Sequence, residues 1–133
     1  MPNILDSWYG LRTVRSTALE NSHILATPTT MGFGGPFDMP SFTAFNFDTE
    51  IGYMILFFDA LTLPANGAVT PVYWAFVAAA TATIPQFVAI SWTEIALKFS
   101  TGIVVAGSSV LTTPFTLTVG TNSKLAFNAQ VSA

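Results

Sequence analysis

Lys124-Leu125-Ala126-Phe127-Asn128-Ala129-Gln130-Val131 places Leu125, Phe127, Ala129 and Val131 on one face and Lys124, Ala126, Asn128 and Gln130 on the other. A period of two over eight residues is the pattern of a half-buried β-strand. The chain beyond Gly52 repeats it in short lengths between turn signals. Residues 53–61 are an apolar run closed by Thr62-Leu63-Pro64. Ala65-Asn66-Gly67-Ala68 reads as a hairpin, because Asn and Gly both tolerate the positive φ of a two-residue primed turn. Residues 69–78 then alternate, Val72, Trp74, Phe76 and Ala78 against Tyr73, Ala75 and Val77. Strands over residues 87–92, 95–99 and 103–108 follow, the last two parted by Ser100-Thr101-Gly102. Phe115, Leu117 and Val119 alternate with Thr116 and Thr118. Short strands with turns at such close spacing predict an all-β chain, an antiparallel β-sandwich or jelly roll over residues 51–133. Leu125, Phe127, Leu117, Phe115, Trp74 and Phe76 are its expected core.

Residues 1–50 show no sustained period. Ile4, Trp8 and Leu11 have helical spacing, but Gly10 and the β-branched Thr13-Val14 oppose a helix, and a short extended piece over 12–18 fits as well. Met31-Gly32-Phe33-Gly34-Gly35-Pro36-Phe37-Asp38-Met39-Pro40 mixes glycine and proline with aromatics, and Phe42, Phe45 and Phe47 follow. Such a stretch predicts no regular element. It reads as an irregular N-terminal arm whose Phe33, Phe37, Phe42, Phe45 and Phe47 dock on a neighbouring subunit.

Only 8% of the 133 residues are charged, against about 25% in an ordinary domain, while aromatics reach 14%. No lysine or arginine lies between Arg15 and Lys98. A free monomer with so few surface charges tends to self-associate, so much of this surface is expected to be covered by other subunits. Strands over 53–61 and 72–78 are apolar on both faces, whereas one face of a sandwich strand normally meets water. They call for a second cover, from the arm or from a neighbour. The eighteen Thr and ten Ser supply polarity without charge, which suits strands packed against protein. A homo-oligomer is expected.

Composition also excludes. Four basic residues make no phosphate-binding footprint, so no nucleic-acid partner is expected. There is no cysteine, hence no disulfide or thiolate metal site. Neither a signal peptide nor a membrane span is expected. The uncharged run from Ala60 to Thr93 is interrupted by Pro64, Pro71, Pro85 and Asn66-Gly67 and never reaches the roughly 20 apolar residues a spanning helix needs.

Candidate chemistry is sparse. His23, the only histidine, has no converging ligands or nucleophile in its Glu20-Asn21-Ser22-His23 turn. Asp48, Glu50 and Asp59 form the densest carboxylate group, but no calcium loop surrounds them, and turn or rim positions are expected. Gly32-Phe33-Gly34-Gly35 lacks the lysine and the following helix of a phosphate loop. Glu94 and Lys98 are expected as isolated surface charges. Trp8, Trp74, Trp92, Tyr9, Tyr53 and Tyr73 could stack on sugars, although large aromatics more often anchor cores and interfaces. No catalytic residue, cofactor or metal is expected.

Pro64-Ala65-Asn66-Gly67-Ala68-Val69-Thr70-Pro71, residues 97–105 and the closing Ala126-Phe127-Asn128-Ala129-Gln130-Val131 resemble small β-sandwich virion structural proteins of tailed bacteriophages. The likeness covers roughly residues 53–131. It implies a compact β domain in the virion without enzymatic activity: a capsid decoration (cement) or a neck or tail accessory subunit, with capsid or tail proteins as partners. By analogy with viral β-sandwich subunits at three-fold positions, a trimer is expected. A receptor- or glycan-binding module of a tail fibre is the alternative.

Overall fold

The computed structural model describes residues 11–92, 97–117 and 124–132. The fold is all-β. One sheet runs β1 (Arg12–Arg15), β11 (Leu125–Ser132), β3 (Phe37–Asn46) and β7 (Gln86–Ser91), with β8 (Leu97–Phe99) further along the same edge of β3. The second sheet runs β2 (Ser22–Ala26), β9 (Ile103–Ser108), β4 (Tyr53–Asp59) and β6 (Tyr73–Val77). Every pairing within the sheets is antiparallel. A short turn of helix, α1 (Pro28–Met31), follows β2. Thr27 caps it by accepting from the Thr30 amide, and it ends at Gly32, whose φ of 79° suits glycine alone.

The core lies between the sheets. Leu125, Phe127, Ala129 and Val131 of β11 face inward as their alternation predicts, and meet Ile55 and Phe57 of β4 and Ile103 and Val105 of β9. Phe37, Met39, Phe42 and Ala44 of β3 complete this layer.

β3 corrects the expectation of an N-terminal arm. It is the central strand of its sheet, paired with β11 on one side and with β7 and β8 on the other, and β1 and β2 occupy sheet edges. From residue 11 onward the first fifty residues are therefore integral to the sandwich, not a separate unit; residues 1–10, with Ile4, Trp8 and Tyr9, lie outside the described residues. The period failed to show because the strand slips. Its inward positions are 37 and 39, then 42, 44 and 46. Asp38 pairs with Ser132 and Ser41 with Gln130, so β3 carries one extra residue at this point. Pro40 sits there. On its other side β7 ends at Ser91 and β8 begins at Leu97, and the Trp92 amide donates to the Pro40 carbonyl at 2.9 Å. Proline cannot donate to a ladder, so a central strand holds it only where the ladder is interrupted.

A third layer covers the second sheet. β5 (Gly67–Val69) and β10 (Phe115–Leu117) pair as a small ribbon. Phe115, Leu117 and Val69 pack on Leu56, Phe58, Val104 and Ala106, the outward faces of β4 and β9. The two-faced apolar pattern of residues 53–61 thus has its second cover within the chain, where the arm or a neighbour had been expected. The Ser108 hydroxyl ties the layers by donating to the Thr116 carbonyl at 2.7 Å.

Two local expectations change. Asn66-Gly67 does not close a hairpin between β4 and β6; Gly67 alone takes positive φ, 116°, as the chain enters β5, which pairs with β10. The alternation of β6 holds, but its faces are exchanged. Val77 is buried and Tyr73 packs on the core, whereas Trp74 and Phe76 point outward, 47% and 48% exposed. Both faces of that strand are apolar, so alternation alone does not say which one turns inward.

Candidate functional site

The polar residues singled out in the sequence serve turns. Asp59, at the end of β4, accepts from the amides of Ser100 and Thr101 and from the Thr101 hydroxyl, each at 2.8 Å, and from the Gly102 amide at 3.4 Å. Partial burial opposes its charge, yet these donors outweigh burial and hold its carboxyl below the usual 3.8. Asp48 closes the turn before β4. It accepts from the amides of Glu50 (2.9 Å) and Ile51 (3.2 Å) and from the Tyr53 hydroxyl (2.9 Å). The Glu50 amide is the main cause of its lowered pKa. Burial, then the bond to Asp48, pushes the Tyr53 phenol well above its ordinary value. Asp48 and Asp59 flank opposite ends of β4, roughly 20 Å apart at strand rise. They form no joint site.

His23 Nδ1 lies 2.7 Å from Glu20 Oε1, three residues back along the chain. Lys98 pairs with Asp38 across β8 and β3 at 2.9 Å; Glu94 lies outside the described residues. Among the described residues no three His, Cys, Asp or Glu side chains gather as metal ligands, and no helix is long and apolar enough to cross a membrane.

The five phenylalanines expected to dock on a neighbour do not act together. Phe37 and Phe42 are 0% and 1% exposed in their own core, out of reach of any neighbour. Phe33 is half-buried against that core, 5.6 Å from the Phe37 ring. Phe45 lies on the opposite face of β3, its ring tilted against that of Phe87 of β7 with centroids 6.0 Å apart. Phe47, beyond the strand end, is 42% exposed.

Further apolar side chains reach solvent beyond these five. Residues 60–93 contain no charged side chain, and the structure turns Val72, Trp74, Phe76, Ile84 and Phe87 from this segment outward. β6 and β7 are edge strands of the two facing sheets and pack against each other; Trp74 and Phe76 stand on the outer face of one sheet and Phe87 on the outer face of the other. A cleft of about 390 Å³ opens beside Trp74, between Pro71 and Val69 on one side and Pro114 and Phe115 on the other. The Trp74 and Phe115 rings lie 5.3 Å apart. A second cleft of about 250 Å³ lies between Phe47 and residues 80–85. The Trp74 cleft is largely apolar, with Thr70 and Thr113 as its polar side chains. It can hold an apolar group or the face of a ring, and nothing in it performs acid, base or nucleophilic chemistry. The signal for this surface was present in the sequence as the uncharged segment itself, which periodicity alone does not divide into inner and outer positions.

Comparison with protein families, with characterised proteins and with solved structures finds no match to this chain.

Proposed function

We propose that this protein is a non-enzymatic structural subunit of a phage particle, a capsid decoration (cement) or a neck or tail accessory protein. It would act by burying apolar area against neighbouring subunits. The observation that carries the reading is the exposed aromatic pair on uncharged β6, where Trp74 and Phe76 stand 47% and 48% exposed, with Phe87 of β7, 62% exposed, on the outer face of the opposite sheet. Half-exposed aromatics on a surface depleted of charge match the composition of interface cores. The virion setting rests on the resemblance of residues 64–71, 97–105 and 126–131 to phage structural proteins.

Electron microscopy of intact particles carrying a labelled copy tests the proposal. Density for the label at regular capsid, neck or tail positions is the expected result, with release and loss of particle stability on mild heating for a cement protein. Purified particles that lack the protein would overturn it.

A second reading, a glycan- or receptor-binding module of a tail fibre, is favoured by one feature, the cleft beside Trp74 and its threonine hydroxyls. Specific signal on a glycan array, abolished by Trp74→Ala, would support it over the structural role.

A further inference from the structure

We infer that β6 pairs edge to edge with β6 of a second copy of this chain, antiparallel about a two-fold axis at Ala75. The inference rests on the reading that the protein works through assembly, and it names the contact.

Sheet edges expose unpaired main-chain groups, and proteins guard them with charges, bulges, breaks or brevity. Most edges here carry such a guard. β1 bears Arg12 and Arg15 on a four-residue strand. β2 has one extra residue, between the pairs Ile24 with Val104 and Ala26 with Ile103. β7 ends at Ser91, and β8 is three residues long and bears Lys98. The ribbon strands β5 and β10 are three residues long.

β6 has none of these. It is regular over Tyr73–Val77, reads Tyr73-Trp74-Ala75-Phe76-Val77 without charge or proline, and among the described residues pairs only with β4. Such a strand is a template for another strand.

The occupant follows from self-complementarity. In a two-fold antiparallel pair centred on Ala75, Trp74 of each copy falls opposite Phe76 of the other, and Tyr73 opposite Val77. Trp74 and Phe76 share the outer face, so the axis makes two cross-strand aromatic pairs, among the more favourable sheet pairings. No like charges meet, since residues 60–93 have none. The half-exposed aromatics leave about 100 Å² each. With Val72 and five residues of main chain, one copy offers on the order of half of the roughly 800 Å² per partner of a standard interface; the apolar lining of the neighbouring cleft extends it. The result is an isologous dimer with one continuous eight-stranded sheet, a two-fold contact in place of the three-fold one expected by analogy.

The cysteine-free chain allows a direct test. Residues opposite each other in an antiparallel pair approach to about 4.5–5.5 Å between Cα atoms, within disulfide range. Full-length Ala75→Cys should form a covalent dimer on mild oxidation, and Ala89→Cys on β7 should not. Sedimentation at tens of micromolar should show a wild-type dimer, at least tenfold weaker association for Phe76→Lys, and no change for Phe87→Lys, which removes a comparable exposed ring. A wild-type monomer overturns the pairing whatever electron microscopy shows of the particle. An oligomer indifferent to Phe76→Lys, or an Ala75→Cys chain that stays uncrosslinked, overturns the pairing and leaves the structural-subunit reading standing. Should Phe76→Lys fail to fold, the Ala75→Cys result decides.

Discussion

The rings of Phe42 and Phe57 meet edge-on, 4.6 Å between centroids, and join the central strand of one sheet to that of the other. Phe127 lies 6.2 Å from Phe42 on the other side. All three are within 2% of complete burial, and edge-to-face pairs add to the area they bury. The contact fixes the spacing of the sandwich at its middle.

Phe42→Ala and Phe127→Ala should each cost about 3–5 kcal/mol, the usual toll of emptying a buried phenylalanine site. Phe47→Ala, at an exposed position, should change stability by less than about 0.5 kcal/mol. Urea titrations of the three variants check the contrast, and equal costs for Phe42 and Phe47 would contradict the placement of β3.

The ribbon of β5 and β10 packs over Leu56, Phe58, Val104 and Ala106. Phe115→Ala should therefore destabilise by about 3 kcal/mol. It should also increase binding of a hydrophobic dye under native conditions, because the second sheet would be uncovered locally before it unfolds. Unchanged dye binding at full loss of stability would show that the ribbon opens only with the whole domain.

Asp59 should make the protein acid-sensitive. Its carboxyl titrates lower in the folded chain than the ordinary 3.8, so the charged form is the one that folding favours. That contribution is complete above the unfolded value near 3.8 and is lost as pH falls through the lowered folded value. Asp59→Asn should flatten the fall in stability below about pH 4. Asp59→Ala should cost about 1 kcal/mol near neutrality, like the loss of a helix cap. Thermal melts of the three proteins from neutral to strongly acid buffer provide the comparison. A wild-type profile shared by Asp59→Asn would assign the acid sensitivity elsewhere.

Glycines offer an ordered pair. A Cβ on Gly102 would strike the Ala60 carbonyl oxygen and approach that of Ala26 to 2.9 Å, both fixed main chain. A Cβ on Gly107 would meet Cδ1 of Leu125, the end of a side chain that can turn. Gly102→Ala should cost about 2–3 kcal/mol and Gly107→Ala about 1 kcal/mol. Calorimetry that reverses this order would contradict the close approach of Gly102 to the end of β4.

The sequence made the C-terminal half readable where a strand has one wet face. β11 stands where alternation puts it, while Ile103–Ser108, buried on both faces, was placed by the turn signal before it. It was unreadable where a second physical demand overlay the first. Pro40 and its extra residue shift the phase of β3, so Phe37 and Phe42 both turn inward although five residues separate them. Strands beneath the ribbon bury both faces, which erases the contrast that tells inside from outside. Of the candidate site, the lack of charge between Ala60 and Thr93 was legible, but not which of its aromatics reach solvent, because that depends on which sheet each edge strand joins.

The order of strands sets when the domain can form. β3 closes its sheet against β11, and the Ser41 to Gln130 bond spans 89 residues; Ser16 reaches Phe127 across 111. A chain growing from the ribosome therefore holds β3 and its phenylalanines without their main partner until β11 has emerged. Distant pairing of this kind slows folding and prolongs the exposure of apolar strands. With an uncharged β6 waiting through that interval, yield on expression should rise with chaperone supply and at low temperature. Phe76→Lys should raise the soluble fraction as well as weaken the dimer.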